Sequence, residues 1–281
     1  MRTALVLSGG GNLGAVEAGM LLAFEDAAIA PDLIVGTSVG AINGAWIAGG
    51  QSATDLAKLW QGLHRNDVFP FDPLTGLLGF LGLRDHLVPL SGLRRLLRDN
   101  LPFERMEQAT VPFHVVATDV LSGADVLISR GPALDAVLAS AAIPGVFSPV
   151  TIDRVPLMDG GIVNNTPISH AVSLGADQIW VLSTGYACAL HSPPKSALAM
   201  GLHAVTLAIQ ERLALDVERY AEQVDLRVVP PLCPVTVPPT DFSQADTLIE
   251  KARAETATWL KGRGQHRDAP SASGWLLPHS H

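Results

Sequence analysis

The sequence predicts one α/β domain built around a mostly parallel sheet. Apolar segments of strand length alternate along the chain with segments of helical periodicity. Residues 32–35 are fully apolar after Asp32, which is typical of a parallel strand covered on both faces. The 281 residues are 48% hydrophobic and 16% charged, so the composition is that of a folded domain and not of a disordered chain.

The first half of the chain is predicted to begin with two strand–turn–helix units. Residues 33–54 carry no charge, but glycines and polar residues interrupt them, so we expect a buried strand and helix and not a membrane span. The predicted elements are a strand at 3–7, a glycine-rich turn at 8–14, a helix ended by Pro31, a strand at 32–35, a turn at 36–40 and a helix at 41–49.

The segment 63–112 is predicted to be an insertion or lid over the sheet. It mixes proline, glycine and apolar residues, and one clear helix follows at 91–101 with Ser91 as its N-cap. A surface loop with a small apolar cluster is the alternative interpretation.

The rest of the chain returns to alternating strands and helices. We expect the domain to span 1–262 and the polar residues 263–281 to form a disordered tail. The predicted elements are strands at 113–118 and 126–129 joined by a turn at 122–123, a helix at 132–142, a strand at 178–183, a long helix through 202–220, a strand at 226–229 and a helix that begins at Ser243 and ends at Gly262.

Charge and cysteine content exclude several classes of partner. Lys and Arg number 19 against 27 Asp and Glu, a net charge of −8, so no basic field attracts nucleic acid or anionic lipid headgroups. Cys188 and Cys233 are too few for a disulfide framework and favour a reducing compartment. The N-terminus lacks a signal-peptide pattern, so we predict a cytoplasmic protein whose oligomeric state stays open.

The first motif is the glycine-rich turn between the first strand and helix, formed by Gly9, Gly10, Gly11, Asn12, Leu13 and Gly14. Its glycine spacing matches the dinucleotide-binding fingerprint. That fingerprint also requires an acidic residue at the end of the next strand, whereas Asp32 stands at the start of that strand. A dinucleotide site therefore fails its context test, and we predict no cofactor.

The second motif is the turn after the second strand, formed by Gly36, Thr37, Ser38, Val39 and Gly40. Two glycines around a serine permit the sharp turn of a nucleophile elbow, which projects the serine hydroxyl above the sheet. Ser38 also falls at a helix N-terminus, where negative charge is favoured. A nucleophile elbow usually has a histidine as its base, but no histidine here stands in a clear catalytic context. His170 is best interpreted as a packed or surface residue.

The third motif is Asp159 followed by Gly160 and Gly161. Alone it is an ordinary turn. Beside the other two motifs it completes an acyl-transfer site, because Ser38 needs a base and a partly buried aspartate has a pKa raised toward neutrality. The N–H groups of the turn from Gly9 to Leu13 would then hold the oxyanion.

Together these motifs resemble those of bacterial patatin-like phospholipases. Further stretches are similar at 117–119 with Gly123, at 139–149 and at 241–243, so that the resemblance covers about 3–260. It implies a three-layer α/β/α sandwich with no metal and no catalytic histidine. It also implies that Ser38 is the nucleophile, Asp159 the base, and Gly10 and Gly11 the oxyanion donors.

The sequence departs from the family pattern at Leu13, where a basic residue is common. This departure favours an acyl-ester substrate without a phosphate. The expected function is a lipid acyl hydrolase whose partners are an acyl-ester substrate and, transiently, a membrane or micelle surface. The alternative is a catalytically weak protein that binds lipid or acyl groups without turnover.

Overall fold

A sheet of eight strands forms the centre of the computed structural model, which describes residues 1–185, 193–233, 235, 237 and 240–262. The strands run in the order β5-β6-β3-β2-β1-β7-β8, with β4 paired to β3. Their bounds are β1 Thr3–Leu7, β2 Leu33–Thr37, β3 Phe113–Asp119, β4 Asp125–Ile128, β5 Val150–Ile152, β6 Val155–Asp159, β7 Gln178–Leu182 and β8 Asp225–Val229.

Most of the sheet is parallel, as the sequence predicts. Strand β1 pairs in parallel with β2 and β7, and the parallel set extends to β3 and β8. The strands β2 and β7 are buried along their whole length, which explains their continuous apolar sequence. Among the described residues, antiparallel pairs occur only where β4, β5 and β6 take part.

The strand β3 carries two strands end to end on one of its edges. Val116 pairs with Thr37 of β2 and with Leu127 of β4, so β2 and β4 lie on opposite edges of β3. Ala117 pairs with β4 and with Asp159 of β6, so β6 also lies opposite β4. Because β2 runs parallel to β3 and β6 runs antiparallel, their carboxyl ends meet on the same edge.

Helices cover both faces of this sheet. One core contains Leu7, Ile34 and Phe113, and a second core on the other face contains Val6, Val35 and Ile168, so the predicted three-layer sandwich is confirmed. The helices are α1 Gly14–Asp26, α2 Val39–Ala48, α3 Ala53–Gly62, α4 Arg65–Val68, α5 Pro73–Phe80, α6 Ser91–Asn100, α7 Ala133–Ser140, α8 Gly161–Asn164, α9 Ile168–Ser173, α10 Ala197–Tyr220 and α11 Ala245–Gly262.

Several predicted details of these elements are wrong. Ser91 is the first residue of α6 and not its N-cap, since Leu90 takes the cap position without a side-chain hydrogen bond. The segment 63–112 contains α4 and α5 besides α6, because Asp72 caps α5 and Pro73 begins it. The antiparallel hairpin of β5 and β6 was not predicted from sequence.

Two further predictions concern the C-terminal tail and the two cysteines. The tail 263–281 and Cys188 lie outside the described residues. Cys233 is disulfide-bonded, which does not agree with the expected reducing compartment. Among the described residues, no helix has the length and apolar character that crossing a bilayer requires.

Candidate active site

Ser38 occupies a strained turn between β2 and α2. Its backbone has φ 54° and ψ −123°, in the left-handed half of conformational space that a non-glycine residue rarely enters. The neighbouring glycines make the turn possible, since a Cβ on Gly36 would collide with the backbone of Gly40, and one on Gly40 with the backbone of Leu7. The sharp elbow predicted from the sequence is therefore present.

Asp159, the last residue of β6, accepts a hydrogen bond from Ser38. The Ser38 Oγ lies 2.6 Å from Asp159 Oδ2, while Asp159 Oδ1 accepts the Gly161 N–H at 2.7 Å. Burial raises the pKa of Asp159 from 3.8 to about 6, although the bonds from Ser38 and Gly161 oppose this. At neutral pH the carboxylate is ionised and holds the serine proton in a short hydrogen bond.

The glycine-rich turn lies directly against Ser38. A Cβ on Gly9 would collide with the side-chain oxygen of Asn165 and would approach Ser38 Cβ to 3.1 Å, so a glycine fits this close contact. The Gly9 N–H donates to Asn165 O at 3.1 Å, and Leu13 N–H donates to Gly10 O at 3.2 Å. Neither Gly10 nor Gly11 donates its backbone N–H to another of the described residues in the turns and loops around the site.

Two polar residues that the sequence did not single out hold this turn in place. Asn165 Nδ2 donates to Gly9 O at 3.2 Å, and Thr184 Oγ1 donates to the same oxygen at 2.8 Å. Thr184 follows the carboxyl end of β7, and side chains at the carboxyl ends of parallel strands commonly form the site of an α/β protein. The position of Thr184 after a predicted parallel strand could therefore have identified it as a site residue.

A buried polar chain lies behind the same turn. Asn43 Nδ2 donates to Glu17 Oε2 at 2.9 Å and to Gly14 O at 3.1 Å, and Asn43 Oδ1 accepts the Trp60 indole N–H at 2.9 Å. Burial raises the pKa of Glu17 well above its usual value, although the hydrogen bond from Asn43 opposes this. The chain joins α1, α2 and α3 to the last residue of the turn.

An apolar pocket opens beside Ser38. Its wall comes mainly from α2, α3 and α6, with aromatic residues that lie outside these helices. Phe69 stacks against Phe147, with ring centroids 5.5 Å apart. The apolar residues of the wall include Ile42, Trp46, Leu56, Leu59, Trp60, Leu93, Leu96, Leu97, Phe69, Phe147 and Phe242. A pocket of this character accepts a hydrocarbon chain and disfavours a charged group.

His170 takes no part in the Ser38–Asp159 pair. Its Nε2 instead lies 2.9 Å from Asp125 Oδ1, in a partly exposed pair. Within the described part of the chain, no group of three His, Cys, Asp or Glu side chains is arranged to hold a metal ion.

The fold and the site together define a class of α/β/α proteins with a buried serine–aspartate pair beside an apolar pocket. Residues 5–172 match the family model described as patatin-like phospholipase, which is more than half of the 281 residues. The chain therefore belongs to the patatin-like phospholipase family.

Similar proteins include two uncharacterized NTE family proteins of Mycobacterium tuberculosis. One is 27% identical over 283 residues, covering 92% of this chain and 46% of that protein. The other is 32% identical over 177 residues, covering 63% of this chain and 47% of that protein. The chain thus spans less than half the length of these mycobacterial relatives.

A mammalian relative and a solved structure are also similar. Patatin-like phospholipase domain-containing protein 7 of Rattus norvegicus is 29% identical over 191 residues, covering 65% of this chain and 13% of that protein. The crystal structure of VipD from Legionella pneumophila has a TM-score of 0.52 at 14% identity, covering 92% of this chain and 66% of that chain. The likeness to VipD supports the fold assignment.

Proposed function

We propose that this protein is a lipid acyl hydrolase in which Ser38 is the nucleophile and Asp159 the general base. The observation that carries the proposal is the 2.6 Å hydrogen bond from Ser38 Oγ to Asp159 Oδ2 at the edge of an apolar pocket. Membership of the patatin-like phospholipase family supports a lipid ester as the substrate.

The first half of the reaction forms an acyl-enzyme. Asp159 takes the Ser38 proton while Ser38 Oγ attacks the ester carbonyl carbon, and the carbonyl oxygen becomes an oxyanion. The N–H groups of Gly10 and Gly11 are the donors left to stabilise that oxyanion, and one such donor contributes roughly 3 kcal/mol. The intermediate collapses when the alcohol leaves with the proton from Asp159.

The second half of the reaction releases the fatty acid. Water enters where the alcohol has left, Asp159 takes a proton from it, and the resulting oxygen attacks the acyl carbon. Ser38 then leaves and recovers its proton from Asp159. Two-step acyl transfer with one aspartate is chemically sufficient because the pKa of Asp159, about 6, lets it accept and return a proton near neutral pH.

The substrate is proposed to reach the pocket from a lipid surface through an apolar ridge. The ridge comprises exposed residues of α5 and of the chain just before and after it, which are Phe71, Leu74, Leu77, Phe80, Leu81 and Leu83. Phe69, two residues before the ridge, belongs to the wall of the pocket. A bilayer contacted by the ridge is therefore close to the apolar wall that would receive an acyl chain.

Charge favours an uncharged or zwitterionic lipid surface for this contact. Arg84 is the only lysine or arginine between residues 71 and 87, and its Nη1 donates to Thr75 Oγ1 at 3.1 Å. With a net charge of −8, the chain gains no attraction from anionic headgroups. Burial of the ridge side chains in the acyl layer provides the binding free energy instead.

The proposed activity is tested with purified protein on a panel of neutral lipid esters and phospholipids, with products identified by mass. We expect release of free fatty acid by the wild type and none above background by Ser38→Ala or Asp159→Asn. Ser173→Ala, which removes an exposed serine hydroxyl on α9, is the matched control and retains full activity. Fatty-acid binding with no Ser38-dependent turnover would instead support the lipid-binding alternative.

A further inference from the structure

Ser140, the last residue of α7, places its hydroxyl between Ser38 and β3. The Ser38 N–H donates to Ser140 Oγ at 2.8 Å, and Ser140 Oγ donates to Val116 O at 2.6 Å. The side chain of Ser140 is completely buried, so no water competes for either bond. The hydroxyl thus links the backbone of Ser38 to the strand beside it.

The register of the sheet explains why this link is unusual. Ile34 N–H donates to Pro112 O at 2.9 Å, and donors recur at every second residue along a parallel strand. The same register aims Ser38 N–H, four residues later, at Val116 O. Instead, the Ser140 hydroxyl lies between Ser38 N–H and Val116 O, so that it bridges the backbone of Ser38 to β3.

We propose that Ser140 is a positioning residue for the reaction, because its hydroxyl replaces one direct hydrogen bond of the β2–β3 ladder and so holds Ser38 in the elbow. This inference rests on the proposed function. The Ser38 N–H thus bonds a side chain of α7 at the point where the β2–β3 ladder would otherwise continue, and the turn with φ 54° begins at the same residue.

The end of α7 positions the base as well as the nucleophile. Gly160 N–H donates to Ser140 O at 3.3 Å, and Asp159 N–H donates to Ala142 O at 2.9 Å. Ser140 and Ala142 therefore bond the backbones on both sides of the Ser38–Asp159 hydrogen bond. The separation between the nucleophile and its base depends on this turn.

Removing the Ser140 hydroxyl tests the proposal. Ser140→Ala leaves Ser38 N–H either unpaired or free to bond Val116 O, and we expect Ser38 Oγ to move away from Asp159. We expect kcat on a soluble ester to fall by about 100-fold with KM nearly unchanged, since a displacement of about 1 Å has an effect of that size. Thr256→Val, which removes a buried hydroxyl on α11, controls for lost stability.

The pH profile separates positioning from general stability. Burial raises the pKa of Asp159, and the hydrogen bonds from the Ser38 hydroxyl and the Gly161 N–H lower it. The Ser38 bond lowers the pKa of Asp159, so its loss moves the acidic midpoint of kcat/KM to higher pH in Ser140→Ala. Ser140→Cys retains a weaker hydrogen-bonding group and is expected to show an intermediate kcat and midpoint.

The wild type and Ser140→Ala are compared for kcat and for the pH midpoint. If the wild type is active and a folded Ser140→Ala has the same kcat and midpoint, the inference about Ser140 is overturned while the proposed function stands. If Ser140→Ala does not fold, a Ser140→Cys protein with wild-type kcat and midpoint overturns it equally. An inactive wild type contradicts the proposed function itself.

Discussion

Ser38 and Asp159 meet because the two strands that precede or contain them end against each other on one edge of β3. Thr37, the last residue of β2, faces Val116, and Asp159, the last residue of β6, faces Ala117. Consecutive residues of one strand therefore place two side chains that are 121 residues apart in the chain within hydrogen-bond distance. The separation is fixed by strand pairing, which is stiffer than a loop.

The buried carboxylate of Asp159 is expected to reduce the stability of the fold. Its folded-state pKa of about 6 exceeds the ordinary 3.8, so the folded protein binds this proton more tightly than the unfolded chain does. The stabilising effect of the bound proton is complete below about pH 4 and is lost as pH rises through about 6. Ionisation above that pH costs up to about 3 kcal/mol.

Asp159→Asn should therefore melt at a higher temperature than the wild type at pH 7.5. The advantage should shrink as pH falls through 6 toward 4, which thermal unfolding followed by circular dichroism measures at each pH. Glu25→Gln, which removes an exposed carboxyl of α1, is the matched control. If the wild type were as stable as Asp159→Asn at pH 7.5, the claim that the buried carboxylate of Asp159 lowers the stability of the fold would be contradicted.

Gly10→Ala is expected to abolish most activity by moving the proposed oxyanion donors. A Cβ at Gly10 would collide with the Thr184 side chain, which also holds Gly9 O, so the turn must shift. Loss of one oxyanion donor lowers kcat by roughly 100-fold to 1,000-fold. Steady-state hydrolysis of a soluble ester measures this.

Gly62→Ala is the control for that prediction, since a Cβ there meets no atom within 4 Å. It should keep wild-type kcat. A Gly10→Ala enzyme with unchanged kcat would show that the oxyanion is held elsewhere.

The apolar ridge should govern binding to lipid vesicles without affecting the chemistry. Phe71 and Phe80 are 81% and 84% exposed, so replacing both by serine disturbs little packing. We expect Phe71→Ser/Phe80→Ser to bind phosphatidylcholine vesicles at least ten-fold more weakly in a flotation assay, because about 3 kcal/mol of apolar burial is lost. Hydrolysis of a soluble short-chain ester should not change.

Leu121→Ser provides the control for the ridge, because Leu121 is equally exposed, at 82%, but lies in the turn between β3 and β4. It should leave vesicle binding intact. Equal loss of binding in both proteins would mean that general surface hydrophobicity, and not the ridge, determines attachment.

Local patterns were enough to predict the parts of the site that depend on backbone conformation. The glycines around Ser38 and in the turn at Gly9–Gly14 predict sharp turns between a strand and a helix, because a Cβ there would collide with backbone around Ser38 and with side chains at the glycine-rich turn. The same reasoning predicted β1, β2 and α2, and β2 is buried along its whole length while β1 is buried after Thr3.

Other parts of the site depend on contacts between distant segments and were not predictable. The hairpin of β5 and β6 is short and contains Pro156, so its alternation is weak, yet its register brings Asp159 to Ser38. The function of the Ser140 hydroxyl depends on the side-by-side placement of α7, β2 and β3. The extent of the domain, 1–262, and the cytoplasmic location stay predictions.

The central claim, that Asp159 activates Ser38 as a base, is tested most directly by the pH dependence of labelling with a fluorophosphonate. The wild-type rate constant should rise with pH around a midpoint near 6, the pKa of Asp159, because only the carboxylate accepts the serine proton. Asp159→Asn should react at least 100-fold more slowly at pH 7.5, with no such midpoint, and Ser38→Ala should not be labelled. An Asp159→Asn protein that is labelled at the wild-type rate, with the same midpoint, would contradict the account.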